Sequence, residues 1–128
     1  MTLRQMNERE ALLLRRLVDI GSLGNVADTL LSSPLLVRTL SDGGMGSFQI
    51  ITSHRDETTK CGRIVASAKS TDADGTLLVA TLIVSEDGTP CEIDIWKVDF
   101  SSLIEIPEKW EPEDFPRLPG SGTGNKQR

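Results

Sequence analysis

The sequence predicts an α+β fold in which two N-terminal helices pack on a mainly antiparallel five-stranded meander sheet. Two changes of pattern carry this expectation. Apolar residues recur at helical spacing through about the first quarter of the chain, and from Leu35 they alternate with polar ones. The breaks between the alternating runs are rich in Gly and Asp, the residues of tight turns, and strands joined by tight turns pair antiparallel.

Asn7, followed three residues later by Glu10, has the spacing of a capping box, with Met6 and Ala11 placed to staple it. A helix therefore starts at Glu8. Leu13, Leu14, Leu17, Val18 and Ile20 share one face with Met6, while Glu8, Arg9, Arg15, Arg16 and Asp19 share the other. Leu12 falls on the polar side, as scattered surface leucines do. Gly21 offers the left-handed residue that ends a helix. Asn25 and Asp28 repeat the capping pattern on a smaller scale and predict a second helix over 26–32, stopped by Pro34.

Five strands follow, over 35–41, 47–53, 63–71, 76–85 and 91–100. The fourth is apolar on both faces, with Leu78, Ala80, Leu82 and Val84 on one and Leu77, Val79 and Ile83 on the other. A strand of that kind is central, and its second face needs cover. Three large aliphatics left in water would forgo about 1.5–3 kcal/mol each. The C-terminal segment, a curled sheet or a second subunit would supply the cover. In the fifth strand Ile93 and Ile95 point to the core, Glu92, Asp94 and Trp96 share the opposite face, and Lys97 and Asp99 fall on the isoleucine side.

After Ile106 the composition shifts. Pro107, Pro112, Pro116 and Pro119 argue against regular structure, with Trp110 and Phe115 placed to anchor the segment across the open sheet face. From Gly120 the chain reads as a flexible tail. The expected organisation is one domain over 1–106 and a Pro/Gly-rich, partly disordered segment over 107–128.

A net charge of −5 argues against nucleic acid as a partner, because phosphate contacts need clustered Lys and Arg. It suits a basic protein partner, although modest negative charge also serves solubility alone. Cys61 and Cys91 form no CxxC, no zinc spacing and no disulfide framework, which predicts reduced thiols and a cytoplasmic location. Arg15 and Arg16 interrupt the apolar run at Leu12, so neither a signal peptide nor a membrane span is expected there.

Several local patterns invite chemistry. Gly43, Gly44 and Gly46 match no phosphate-loop spacing and lead into a strand, so they predict a turn. Asp72-Ala73-Asp74-Gly75 has the middle of a calcium loop without its flanking acids, and predicts a hairpin turn whose Asp side chains cap local N–H groups. If Glu92 and Asp94 lay near Asp72 and Asp74, the four could hold a divalent cation for a metal-dependent hydrolase. The plainer expectation is solvation or cross-strand pairing with Arg63 and Lys69. The lone His54 and the two cysteines build no nucleophile–base pair, and Ser47 stands in no G-x-S-x-G. No catalytic residue, cofactor or metal ligand is assigned.

The stretch from Asp42 to Ser47 and the run from Glu92 to Phe100, with Asp72 to Gly75 between them, resemble a family of small bacterial domains of unknown function. The likeness spans roughly Leu3 to Pro107 and implies a bacterial single-domain protein with short helices leading into a sheet. It carries no established activity, so it transfers no catalytic residue. The expected role is a non-enzymatic protein-binding domain, of the immunity or antitoxin kind, in which Asp72, Asp74, Glu92, Asp94 and Trp96 meet a basic partner. The alternatives are the metal-dependent hydrolase and a homodimer closed through the second apolar face; no membrane contact is expected.

Overall fold

In the computed structural model, residues 3–23, 35–41, 44–51, 60–86 and 88–113 are described. They form β1 (Leu3–Gln5), α1 (Glu8–Ile20), β2 (Leu36–Thr39), β3 (Phe48–Ile51), β4 (Cys61–Thr71), β5 (Leu77–Ser85), β6 (Pro90–Lys97) and β7 (Glu111–Pro112). All pairings are antiparallel, in one seven-stranded sheet of order β1-β2-β3-β6-β5-β4-β7.

This overturns the expected two helices on a five-stranded meander. The described residues hold one helix, the fold is mostly sheet, and the helix expected over 26–32 lies outside them, as does His54. Two strands were missed because they are too short to show a period. β1 has three residues, and β7 has two, one of them Pro112, which an edge strand tolerates because its missing N–H faces away from the ladder. The meander fails at β3, which pairs with β6 through Phe48↔Ile93 and Gln49↔Glu92.

The start of α1 follows the sequence. Glu10 N–H donates to Asn7 Oδ1 at 2.8 Å and Asn7 N–H donates to Glu10 Oε1 at 3.0 Å, the reciprocal bonds of a capping box. The end does not. Gly21 has φ −83°, and Ser22 takes the left-handed conformation at φ 60°. Gly21 is small for another reason: a Cβ there would lie 3.2 Å from the Val65 carbonyl oxygen and 3.5 Å from Ala66 Cβ, because the helix end runs against β4.

Leu13, Leu14, Leu17 and Val18 of α1 are fully buried with Val37, Phe48, Ile50, Leu78, Leu82, Val84 and Ile93 on one face of the sheet. The helix meets β4 and β5, where Ala66, Ala68 and Ala80 are buried and leave room for close approach. Glu10, on the buried side of the helix, is neutralised by Arg4 of β1 through two charge-assisted bonds of 2.7 and 2.6 Å. Trp110 docks, but on the helix side rather than over the open face. It is 6 % exposed within the core cluster, its indole N–H donates to the Pro107 carbonyl, and its own carbonyl accepts from Arg16. Phe115 lies outside the described residues. On the second face of β5 and β6, Ser67 and Thr81 are buried while Leu77 and Trp96 are exposed.

Candidate protein-contact face

The register of β4, β5 and β6 builds that second face row by row. Lys69, Val79 and Trp96 form one row, and Ser67, Thr81 and Asp94 the next; Ile83 and Glu92 stand opposite each other in a third. Ser67 and Thr81 share a hydroxyl–hydroxyl bond of 3.0 Å, which satisfies two polar side chains between the apolar ones. Trp96 is 43 % exposed and Phe100 is 68 % exposed. Their ring centroids are 6.1 Å apart and the planes tilt by 53°, within the range of edge-to-face aromatic pairs. Phe100 reaches this place with φ 63°, a left-handed backbone that a bulky residue rarely adopts, fixed by its N–H donating to the Lys97 carbonyl at 2.9 Å.

Two carboxylates, Asp94 and Glu92, stand on this face, and Asp99 lies toward Lys97 and Asp74. Asp94 is exposed and accepts from the Ser47 hydroxyl at 3.1 Å, the same hydroxyl that accepts from Ile95 N–H at 2.8 Å. Glu92 is half-buried in register with Gln49 and Ile83. Asp99 accepts from both the hydroxyl and the N–H of Ser101, and these bonds lower its pKa. Leu77, on the same face as Val79, extends the apolar surface.

Asp72 and Asp74 belong elsewhere. Lys97 follows Ile93 and Ile95 on the buried side of β6, and its Nζ donates to Asp72 Oδ2 at 2.8 Å, Asp74 Oδ2 at 2.8 Å and the Ser102 carbonyl at 3.1 Å. Three ammonium donors meet three acceptors. Asp72 also accepts from the N–H groups of Ala73, Ile104 and Glu105, at 2.7, 2.8 and 3.1 Å. Burial alone would push the Asp72 carboxyl up, yet the Lys97 ammonium and the three backbone donors outweigh it and bring the pKa down to about 2. Lys97 also lowers Asp74, and the two carboxylates raise Lys97. Asp74 Oδ1 accepts from Thr76 N–H as well, so the turn is the expected Asp-capped hairpin.

The four candidate carboxylates therefore do not converge. Asp72 and Asp74 close on Lys97, while Glu92 and Asp94 emerge on the Trp96 side. Among the described residues no group of three or more His, Cys, Asp or Glu side chains is placed to hold a metal ion. The cation that serves Asp72 and Asp74 is Lys97 rather than Arg63 or Lys69; Lys69 lies 3.8 Å from Glu113. Period-two alternation already put Lys97 with the isoleucines, and a lysine among core residues requires a carboxylate.

Cys61 and Cys91 are joined in a disulfide, contrary to the expectation of free thiols. Spacing could not reveal it, because the partners stand on β4 and β6, on either side of β5. The case for a reducing compartment built on unpaired thiols falls with it. No helix of the described residues is long and apolar enough to cross a membrane.

One helix on one face of an antiparallel sheet, with an exposed aromatic pair on the other, defines a two-layer arrangement. By sequence the chain belongs to the family Domain of unknown function (DUF6984), whose model matches residues 3–107. No curated protein and no solved structure matches it.

Proposed function

We propose that this domain is a non-enzymatic protein-binding module that takes a basic partner on the open face of β5 and β6. The observation that carries the proposal is the exposed Trp96–Phe100 pair, on the face that also presents Leu77 and Asp94. Aromatic residues dominate binding energy in protein interfaces, and exposed ones on a rigid sheet lose little conformational freedom on contact. Charge complementarity selects the occupant: Asp94 and Glu92 share the face of Trp96 on a chain of net charge −5. An immunity-type or antitoxin-type protein, neutralising a basic target, is one form this would take.

Affinity capture with the wild-type chain and with Trp96→Ala tests the proposal. The wild type should retain a basic protein that high salt weakens and Trp96→Ala loses, at unchanged melting temperature. Identical proteins retained by both variants, or self-association through this face in sedimentation, would overturn it. The metal-dependent hydrolase has less support, because releasing Asp72 and Asp74 to a cation would strip a buried lysine of its counter-charges.

A further inference from the structure

We propose that Cys61 and Cys91 form a reversible thiol–disulfide exchange site, entered at Cys61, whose co-reactants are small thiols and disulfides. The two cysteines stand on strands that flank β5 and do not touch each other in the ladder. Two strands separated by a third lie about 9.5 Å apart, too far for a disulfide. Here the Cα atoms are 6.1 Å apart. The register shows how. On β4, Cys61↔Ser85 is followed by Arg63↔Val84, which leaves Gly62 as an extra residue. On β6, Ile83↔Glu92 is followed by Val84↔Pro90, which leaves Cys91 itself as the extra residue. Two bulges face each other across Val84, and bulges re-aim side chains and bend strands. The two irregularities in register fall where the two cysteines meet.

The two sulfurs differ in access. Cys91 is 1 % exposed, whereas Cys61 is half-buried and lines an open cavity of about 440 Å³ with Lys60, Gly62, Arg63, Val84 and Glu86. A Cβ on Gly62 would meet nothing within 4 Å, so the backbone beside Cys61 is bare to an approaching molecule. Lys60 and Arg63 line this cavity with Glu86, and its two cations would draw in an anionic thiol or disulfide.

An incoming thiolate attacks Cys61 Sγ and forms a mixed disulfide, while the Cys61–Cys91 bond breaks and its electron pair leaves on Cys91 Sγ. Cys91 takes up a proton there, with the Thr89 carbonyl oxygen 3.5 Å away to accept its S–H. A second thiolate on the mixed disulfide yields the dithiol and one small disulfide. In reverse, the Cys61 thiolate attacks a small disulfide and releases one thiolate, and Cys91 displaces the second.

Oxidised glutathione and iodoacetamide test this on the intact chain. After reduction and removal of reductant, a brief native pulse of iodoacetamide should alkylate Cys61 faster than Cys91 by on the order of tenfold, and the preference should vanish in denaturant. Oxidised glutathione should close the wild-type bond with release of two glutathione thiols. On Cys91→Ser it should leave one glutathione on Cys61, and Lys60→Gln with Arg63→Gln should slow that adduct several-fold. Native alkylation of Cys91 as fast as Cys61, or failure of the reduced wild type to close, would overturn the proposal whether or not the serine variant folds.

Discussion

Lys97 Nζ lies 2.8 Å from Asp72 Oδ2, and both side chains are sealed from solvent. Through this pair three stretches that are distant in sequence are held together: the turn between β4 and β5, the end of β6, and the backbone from Ser102 to Glu105. What the sequence offers as a run of acids for chemistry is the knot that folds the chain back after β6.

Removing the carboxylate should be costly. Asp72→Ala leaves a buried ammonium with one fewer counter-charge and orphans three backbone donors, a change expected to destabilise by about 3–5 kcal/mol. Asp74→Asn should cost distinctly less, because its carboxylate is 39 % exposed and water replaces it. Urea unfolding midpoints of the two variants check the order; equal midpoints would mean the pair contributes nothing special.

Acid should find the same group. The folded pKa of Asp72, about 2, lies below its ordinary 3.8, so the unfolded chain binds the proton more readily. Its contribution is complete above about pH 4 and is lost as pH falls through about 2. Asp74 and Asp99, also lowered, act in the same direction. Lys97, raised above 10.5, contributes below that value and loses its share as pH climbs through its folded pKa. Thermal midpoints measured from pH 6 downward should fall less steeply for Asp72→Asn than for the wild type below pH 4.

The two tryptophans should behave as opposites. Trp96→Ala, on the open face, is expected to change stability by no more than about 0.5 kcal/mol. Trp110→Ala empties a filled core position and should cost about 3–5 kcal/mol. Acrylamide should quench the fluorescence of Trp110→Phe, which retains Trp96, far more than that of Trp96→Phe. Similar quenching of both would contradict the assigned burial.

Among the glycines, Gly46 and Gly75 offer a controlled pair. Both have positive φ, +96° and +83°, so alanine pays about 1–2 kcal/mol at either. At Gly46 the new Cβ would also come within 2.6 Å of Leu103 Cδ2, whereas at Gly75 it enters open space. Gly46→Ala should therefore be the more destabilising by about 1 kcal/mol or more, read from denaturant midpoints.

The strands were legible where the period was long enough to show. The alternation through Leu77–Ser85 and the helix from Glu8 follow from side-chain spacing, as does the placing of Ile93 and Ile95 against Glu92, Asp94 and Trp96. Legibility failed wherever the decisive partner is remote. β1 exists because Leu3 to Gln5 pair with Leu36 to Arg38, and no three-residue segment announces that. β3 passes over its neighbour in sequence to reach β6, a choice between edges that alternation leaves open. Of the candidate residues, Trp96 stands where alternation put it, while Asp72 and Asp74 close on Lys97, which lies 25 and 23 positions further along the chain and follows Ile93 and Ile95 on the buried side of β6.

The order of the strands has a mechanical consequence. Between β5 and β6 the ladder holds seven register pairs, but between β3 and β6 only two. The helix rests on the β4–β5 side of that join. The sheet thus divides into a well-clamped block, β4 to β6 with α1, and a lighter flap, β1 to β3, zipped to it by Phe48, Gln49 and the Ser47 hydroxyl. Backbone amides of the flap should trade protons with solvent through partial opening at the seam while those of the block wait for global unfolding. The Arg4–Glu10 pair straps the flap's outer strand to the helix, alongside the packing of Val37, Phe48 and Ile50 in the shared core.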